Sequence, residues 1–126
     1  MILGRKAPAT LPPSGLVGLD ESWSRLVSGL DSAGVNRTWH LLDNGVADAD
    51  LTLLCVHGNP TWSYLWRRLL AEAPSGVRVI AVDHLDMGFS ERTGTLRRLE
   101  QRIADLETVV EALEITGPIV TVAQDW

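Results

Sequence analysis

One cysteine, one tyrosine, one phenylalanine and two methionines are all that this chain of 126 residues holds of those types. A single thiol leaves no internal disulfide to form. Cys55 lies inside the apolar run Leu53-Leu54-Cys55-Val56, where a thiol acts as a small hydrophobe and not as a reactive group. One unpaired cysteine suits a reducing compartment, and the expected location is cytoplasmic. Prolines, not an apolar h-region, follow Lys6, so no signal peptide is evident, and no apolar stretch approaches the length of a membrane span. Basic clusters are also missing. A net charge of -5 and a pI near 5.0 argue against a nucleic-acid or anionic-membrane surface. Arg67-Arg68 and Arg97-Arg98 are isolated pairs within helical patterns and read as solvated faces. No Gly-x-Gly-x-x-Gly follows a strand, which removes the dinucleotide-binding signature, and no zinc or EF-hand spacing occurs. Neither a metal nor a cofactor is expected.

What is present is an ordinary globular composition, 45% hydrophobic and 21% charged. Residues 1–36 read as an irregular lead-in rich in Pro and Gly. Within it Asp20 is placed to cap a short helix bearing Trp23, Leu26, Val27 and Leu30 on one face. Arg37 to Leu42 alternates as a strand and ends at Asp43-Asn44-Gly45, which contains a hairpin-turn dipeptide. From Leu51 the pattern changes. Leu51 to Val56 and Val77 to Val82 are nearly continuous apolar runs, as expected of strands covered on both faces of a parallel sheet. Ser63 to Ala73 carries a helical stripe of Leu65, Trp66, Leu69 and Leu70, and a longer stripe runs from Leu96 to Leu113. Ile119 to Ala123 begins a third strand. Strand, helix, strand, helix, strand is a βαβαβ unit, so the fold class is α/β.

Ligands of an open parallel sheet bind outside the carboxyl ends of its strands. Three segments fall there. In His57-Gly58-Asn59-Pro60-Thr61-Trp62, Gly58 permits close backbone approach, and Asn59 offers an amide and a neutral side-chain donor to an anion. The same residues also make a plain turn. Asp83-His84-Leu85-Asp86-Met87-Gly88-Phe89-Ser90 reads as a structural loop in which Asp83 and Ser90 bond backbone groups, with His84 hydrogen-bonded or facing solvent and not serving as a general base. In Val122-Ala123-Gln124-Asp125-Trp126, the small Ala123 two residues before Asp125 suits the sharp turn of a nucleophile elbow, and Asp125 also suits a helix cap.

Together, Leu54-Cys55-Val56-His57-Gly58-Asn59-Pro60-Thr61-Trp62-Ser63-Tyr64-Leu65-Trp66-Arg67, Val79-Ile80-Ala81-Val82-Asp83, Met87-Gly88-Phe89-Ser90 and Val122-Ala123-Gln124-Asp125-Trp126 resemble the successive signatures of the haloalkane dehalogenases. His-Gly-x-Pro is widespread among α/β-hydrolases; Asn-Pro-Thr-Trp-Ser-Tyr-Leu-Trp-Arg with Gln-Asp-Trp is far more specific. The match covers roughly residues 39–126 and leaves the earlier stretch unexplained. It implies that residues 37–126 are the N-terminal half of an α/β-hydrolase domain, a mostly parallel sheet with flanking helices, truncated at the nucleophile elbow. By the same resemblance Asp125 is the nucleophile, Trp126 holds the departing halide through its indole N–H and lends a backbone amide to the oxyanion hole, and Asn59 supplies the second halide contact and the other amide. His57 is not the family's base. The base histidine, its acid and the lid are expected downstream of Trp126, and the 126 residues alone are expected to be inactive.

The chemistry is coherent. A carboxylate is ionised at neutral pH without help and can displace a leaving group at saturated carbon, giving an aspartyl ester that an activated water then hydrolyses. The implied partner is a small molecule, a halogenated alkane or a β-lactone, since the β-lactone decarboxylases of olefin biosynthesis resemble the dehalogenases closely. An epoxide hydrolase and a non-catalytic remnant or interaction module stay open beside these. Nothing in the sequence specifies an oligomeric state.

Overall fold

The apolar runs form strands over the residues expected of them. In the computed structural model, which describes residues 5–125, β3 spans Leu51–Val56, β4 Val77–Val82 and β5 Ile119–Ala123. Ahead of them come β1, Ser24–Leu30, and β2, Asn36–Asp43. The five make one mixed sheet in the order β1-β2-β4-β3-β5. Its parallel part is β4-β3-β5, with Val56 opposite both Val82 and Ala123, and β1 and β2 join antiparallel beyond β4.

Alternate residues of these strands face opposite layers. Leu54, Val56, Ile80 and Val82 pack with Trp39, Leu41 and Val109 on the side of α2, Leu99–Ala112. Cys55, Val79, Ala81 and Leu42 pack with Leu70 of α1, Arg67–Glu72, which continues a 3-10 turn over Ser63–Trp66. Burial pushes the Cys55 thiol up to about 12, in keeping with an inert core residue. Helices on both faces of the sheet make the doubly covered α/β architecture. β5 is the exception to the buried-strand reading: it lies at the margin of the sheet, with Ile119 and Val120 exposed.

Three local expectations are corrected. Asp20 does cap, accepting from the Ser22 N–H at 2.9 Å, but the turn it starts covers only Glu21–Trp23, and the residues of the expected helix continue as β1. All seven pair with β2, and that ladder outweighs the modest helix preference of a segment containing Ser28 and Gly29. A Cβ on Gly29 would stand 2.7 Å from the Thr108 methyl, so glycine lets β1 approach α2. Asn44-Gly45 joins no pair of neighbouring strands, because β4 lies between β2 and β3. It turns the chain all the same, with Asp43 accepting from the Gly45 N–H and Asn44 accepting from the Val79 N–H. The hairpin is at residues 31–35, where Asp31 accepts from the Ala33 and Val35 N–H groups. Finally, Arg97 is not solvated: it is buried and donates twice to Asp105, at 2.9 and 2.7 Å.

Candidate functional site

The route of the chain decides where a site can form. β3 leads through α1 to β4 on one side of it, and β4 leads through α2 to β5 on the other. The winding therefore reverses between β3 and β5, and the crevice outside the carboxyl ends of those two strands is the topological switch point. Gly58 and Asn59 leave β3 there, and Gln124 and Asp125 leave β5 beside them.

The two ends touch. The Gln124 N–H donates to the Val56 carbonyl at 3.1 Å, and the Gly58 N–H donates to Gln124 Oε1 at 3.2 Å. A Cβ on Gly58 would stand 2.7 Å from the Gln124 carbonyl oxygen and closer still to that of Asp125, so only glycine allows this approach. Asp125 has φ 38, the left-handed region that costs a non-glycine residue energy and that recurs at functional turns. Asn59 and Asp125 are both exposed, and the Asn59-Pro60 peptide is cis. The structure thus brings Asn59 and Asp125, two of the residues singled out in the sequence, to one crevice. Trp126 lies outside the described residues. Gln124 was not anticipated as a contributor; its position between the small Ala123 and Asp125 was the available signal.

The histidines nearby are structural. His57 accepts at Nε2 from the His84 N–H at 3.0 Å, which leaves its proton on Nδ1, donated to the Gly58 carbonyl at 2.7 Å. His84 Nε2 donates to the His57 carbonyl at 3.0 Å, and the two rings meet edge to face at 4.4 Å. Burial lowers both, His57 below the ordinary imidazole range and His84, which also faces His57, to about 4. They buttress the loop as neutral rings. The Asp83–Ser90 loop is held as expected: Asp83 accepts from the Ser63 and Phe89 N–H groups at 2.7 and 2.9 Å, and the Ser90 hydroxyl donates to the Asp83 carbonyl at 2.7 Å. Burial alone would raise the Asp83 carboxyl, but its bonds with His40, Phe89 and Ser63 outweigh that and hold it below the usual range.

Comparison with known proteins agrees with this fold. The family model described as the alpha/beta hydrolase fold matches residues 52–126. A cis-3-alkyl-4-alkyloxetan-2-one decarboxylase of Xanthomonas campestris is 36% identical over 93 residues, 68% of this chain and 31% of the relative. A haloalkane dehalogenase of Sphingobium indicum is 36% identical over 89 residues, 68% of this chain and 29% of the relative. Among solved structures, a tetrameric haloalkane dehalogenase of Paraglaciecola agarilytica superposes with a TM-score of 0.79 at 28% identity, covering 97% of this chain and 41% of that one. The chain spans under a third of the length of the two curated relatives. With its sheet order, its helices on both faces and these matches, the chain belongs to the α/β-hydrolase fold family and is a haloalkane dehalogenase-like member of it.

Proposed function

We propose that Asp125 is the nucleophile of a hydrolase that works through an aspartyl ester. The observation that carries this reading is the contact at the switch point: an aspartate on a left-handed turn, whose backbone carbonyl lies directly against the glycine that precedes Asn59. A carboxylate oxygen of Asp125 attacks carbon, the bond from that carbon to its leaving group breaks, and the leaving group departs with the electron pair. The Asn59 side chain and the Trp126 indole N–H are the donors for the halide, and the amides of the same two residues serve the oxyanion of the later hydrolytic step. In that step water attacks the ester carbonyl and releases the alcohol.

That hydrolysis needs a histidine to activate water. His57 uses both ring nitrogens to hold the loop, and His84 is bonded back to His57. His40 lies between Asp83 and Ser24. We therefore assign the base to a residue outside these 126, and residues 1–126 by themselves carry the reaction no further than the ester. The names of the relatives give two substrate classes, haloalkanes and oxetan-2-ones, which share an electrophilic carbon and a leaving group.

The test uses the missing hydrolytic step. The chain is incubated with a primary bromoalkane or with a β-lactone, and the covalent adduct is located by peptide mass spectrometry. A stable ester on Asp125, lost in Asp125→Asn, is the expected result, and the reagent that forms it names the substrate class. A folded chain that neither reagent modifies at Asp125 would point to a non-catalytic role.

A further inference from the structure

A second set of nucleophile, base and acid lies away from Asp125, on the face of β1 and β2 that packs toward the lead-in. Ser24 stands opposite Leu42 and Leu26 opposite His40, so Ser24 and His40 are diagonal neighbours on one face of the ladder. Ser24 Oγ lies 3.2 Å from His40 Nε2, and His40 Nδ1 lies 2.8 Å from Asp83 Oδ2. A carboxylate only accepts, so the Nδ1 proton goes to Asp83, and Nε2 is left to accept from the Ser24 hydroxyl. The Ser63 and Phe89 amides fix Asp83, and the ring of His40 is fully buried with Phe89 edge-on at 5.9 Å. Serine, histidine and aspartate are joined through the ring nitrogens in the order that activates a hydroxyl.

A buried histidine satisfied by two partners would make the same bonds. What differs here is the asymmetry of the chain of groups. Its acid and base are sealed in the core, whereas Ser24 is half-buried and lines a cavity of about 230 Å³ walled by Leu11, Pro12, Pro13 and Leu19. The residue that bears the hydroxyl thus stands in the wall of a partly apolar pocket with room for a small acyl group.

We propose that Ser24 is a second nucleophile, which accepts the acyl group of small neutral esters. Its Oγ attacks the ester carbonyl while its proton passes to His40 Nε2. The tetrahedral adduct collapses, the carbon–oxygen bond to the alcohol breaks, and the alcohol leaves with the proton from His40, so the acyl group stays on Ser24. Ser14 is the other hydroxyl in the wall, and the N–H of Ser24 itself is donated to the Glu21 carbonyl, which leaves thin support for the oxyanion. The absence of one such donor costs on the order of a hundredfold in rate or more, so slow, stoichiometric acylation is expected in place of rapid turnover. The Glu21 carboxylate in the same wall disfavours anionic esters.

The experiment treats the chain with p-nitrophenyl acetate and follows p-nitrophenol release and intact mass. One acetyl group, mapped to Ser24, absent in Ser24→Ala and retained in Ser28→Ala, supports the assignment. His40→Gln, provided that its circular dichroism matches the parent, should slow acylation about a hundredfold by removing the base. No acylation of the folded parent, acylation that survives Ser24→Ala, or an unchanged rate in a folded His40→Gln overturns it. Should His40→Gln fail to fold, the serine variants and the peptide map decide alone. None of these readouts passes through Asp125.

Discussion

Gly58 and Gln124 are joined by a backbone-to-side-chain hydrogen bond of 3.2 Å, and through it the end of β3 is locked to the end of β5. The bond fixes the separation of Asn59 and Asp125, which follow these residues directly, and it exists only because the position before Asn59 has no Cβ. Gly58→Ala forces a methyl group into the carbonyls of Gln124 and Asp125. Rigid backbone on both sides makes the strain expensive, about 1–3 kcal/mol, and the strand ends must part to relieve it. Urea unfolding should show that loss, and alkylation of Asp125 should slow in the folded variant. An alanine variant with parental stability and parental alkylation would mean that the contact positions nothing.

The buried pair of Arg97 and Asp105 makes a separate prediction. Their side chains are 5% and 4% exposed, and the guanidinium meets the carboxylate through two bonds. Asp105→Ala removes both hydrogen bonds from a buried cation and leaves it only the looser contact with Asp31 at 3.8 Å, so it should cost about 3 kcal/mol. Arg97→Met combined with Asp105→Leu should cost much less, because Asp31 keeps its bond with Arg37 and no buried charge is left unpaired. Denaturant titrations of the parent and both variants measure the difference. Equal losses in the single and double variants would show that the site tolerates water.

The histidine pair behind Gly58 makes the stability of the fold depend on pH. Burial lowers His84 from 6.5 to about 4 in the folded chain. A group with a depressed folded value binds its proton more readily when unfolded, so its contribution is complete above 6.5 and declines as the pH falls toward 4. His57 is shifted in the same direction. Stability should therefore drop by a few kcal/mol between those limits. His84→Gln, whose amide can still donate to the His57 carbonyl, should flatten the decline. A midpoint in urea that stays constant across this window would show that the two rings are not buried as neutral species.

What could be read in the residues followed physical lines. β3 and β4 were legible because a doubly covered strand must be apolar on both sides; β5 carries the same kind of apolar run, although it lies at the margin of the sheet with Ile119 and Val120 exposed. The meeting of Asn59 and Asp125 was legible in outline because both follow strands of a parallel sheet at its carboxyl end. β1 was not, since Trp23, Leu26, Val27 and Leu30 happen to fall at helical spacing while the pairing with β2 settles the conformation. Arg97 was misjudged because its partner Asp105 sits eight residues on, and only the packing of α2 buries the two together. The bond from Gln124 to Gly58 depends on a side-chain rotamer, and so does the alignment of Ser24 with His40, neither of which leaves a mark in residue type or spacing.

The left-handed turn at Asp125 allows stability and chemistry to be separated at one position. Its φ of 38 is tolerated by aspartate, is free for glycine and is a poor conformation for a β-branched side chain. The residue is exposed, so packing contributes little to the comparison. Asp125→Gly should be as stable as the parent within about 0.5 kcal/mol, since relief of strain offsets the greater freedom of glycine in the unfolded chain. Asp125→Val should lose about 1–2 kcal/mol, because valine must be held where its branched Cβ crowds the backbone. Both substitutions remove the carboxylate and should end ester formation alike. If the valine variant proves as stable as the glycine one, the turn relaxes on mutation, and the contact of Gly58 with Asp125 is too soft to aim a nucleophile.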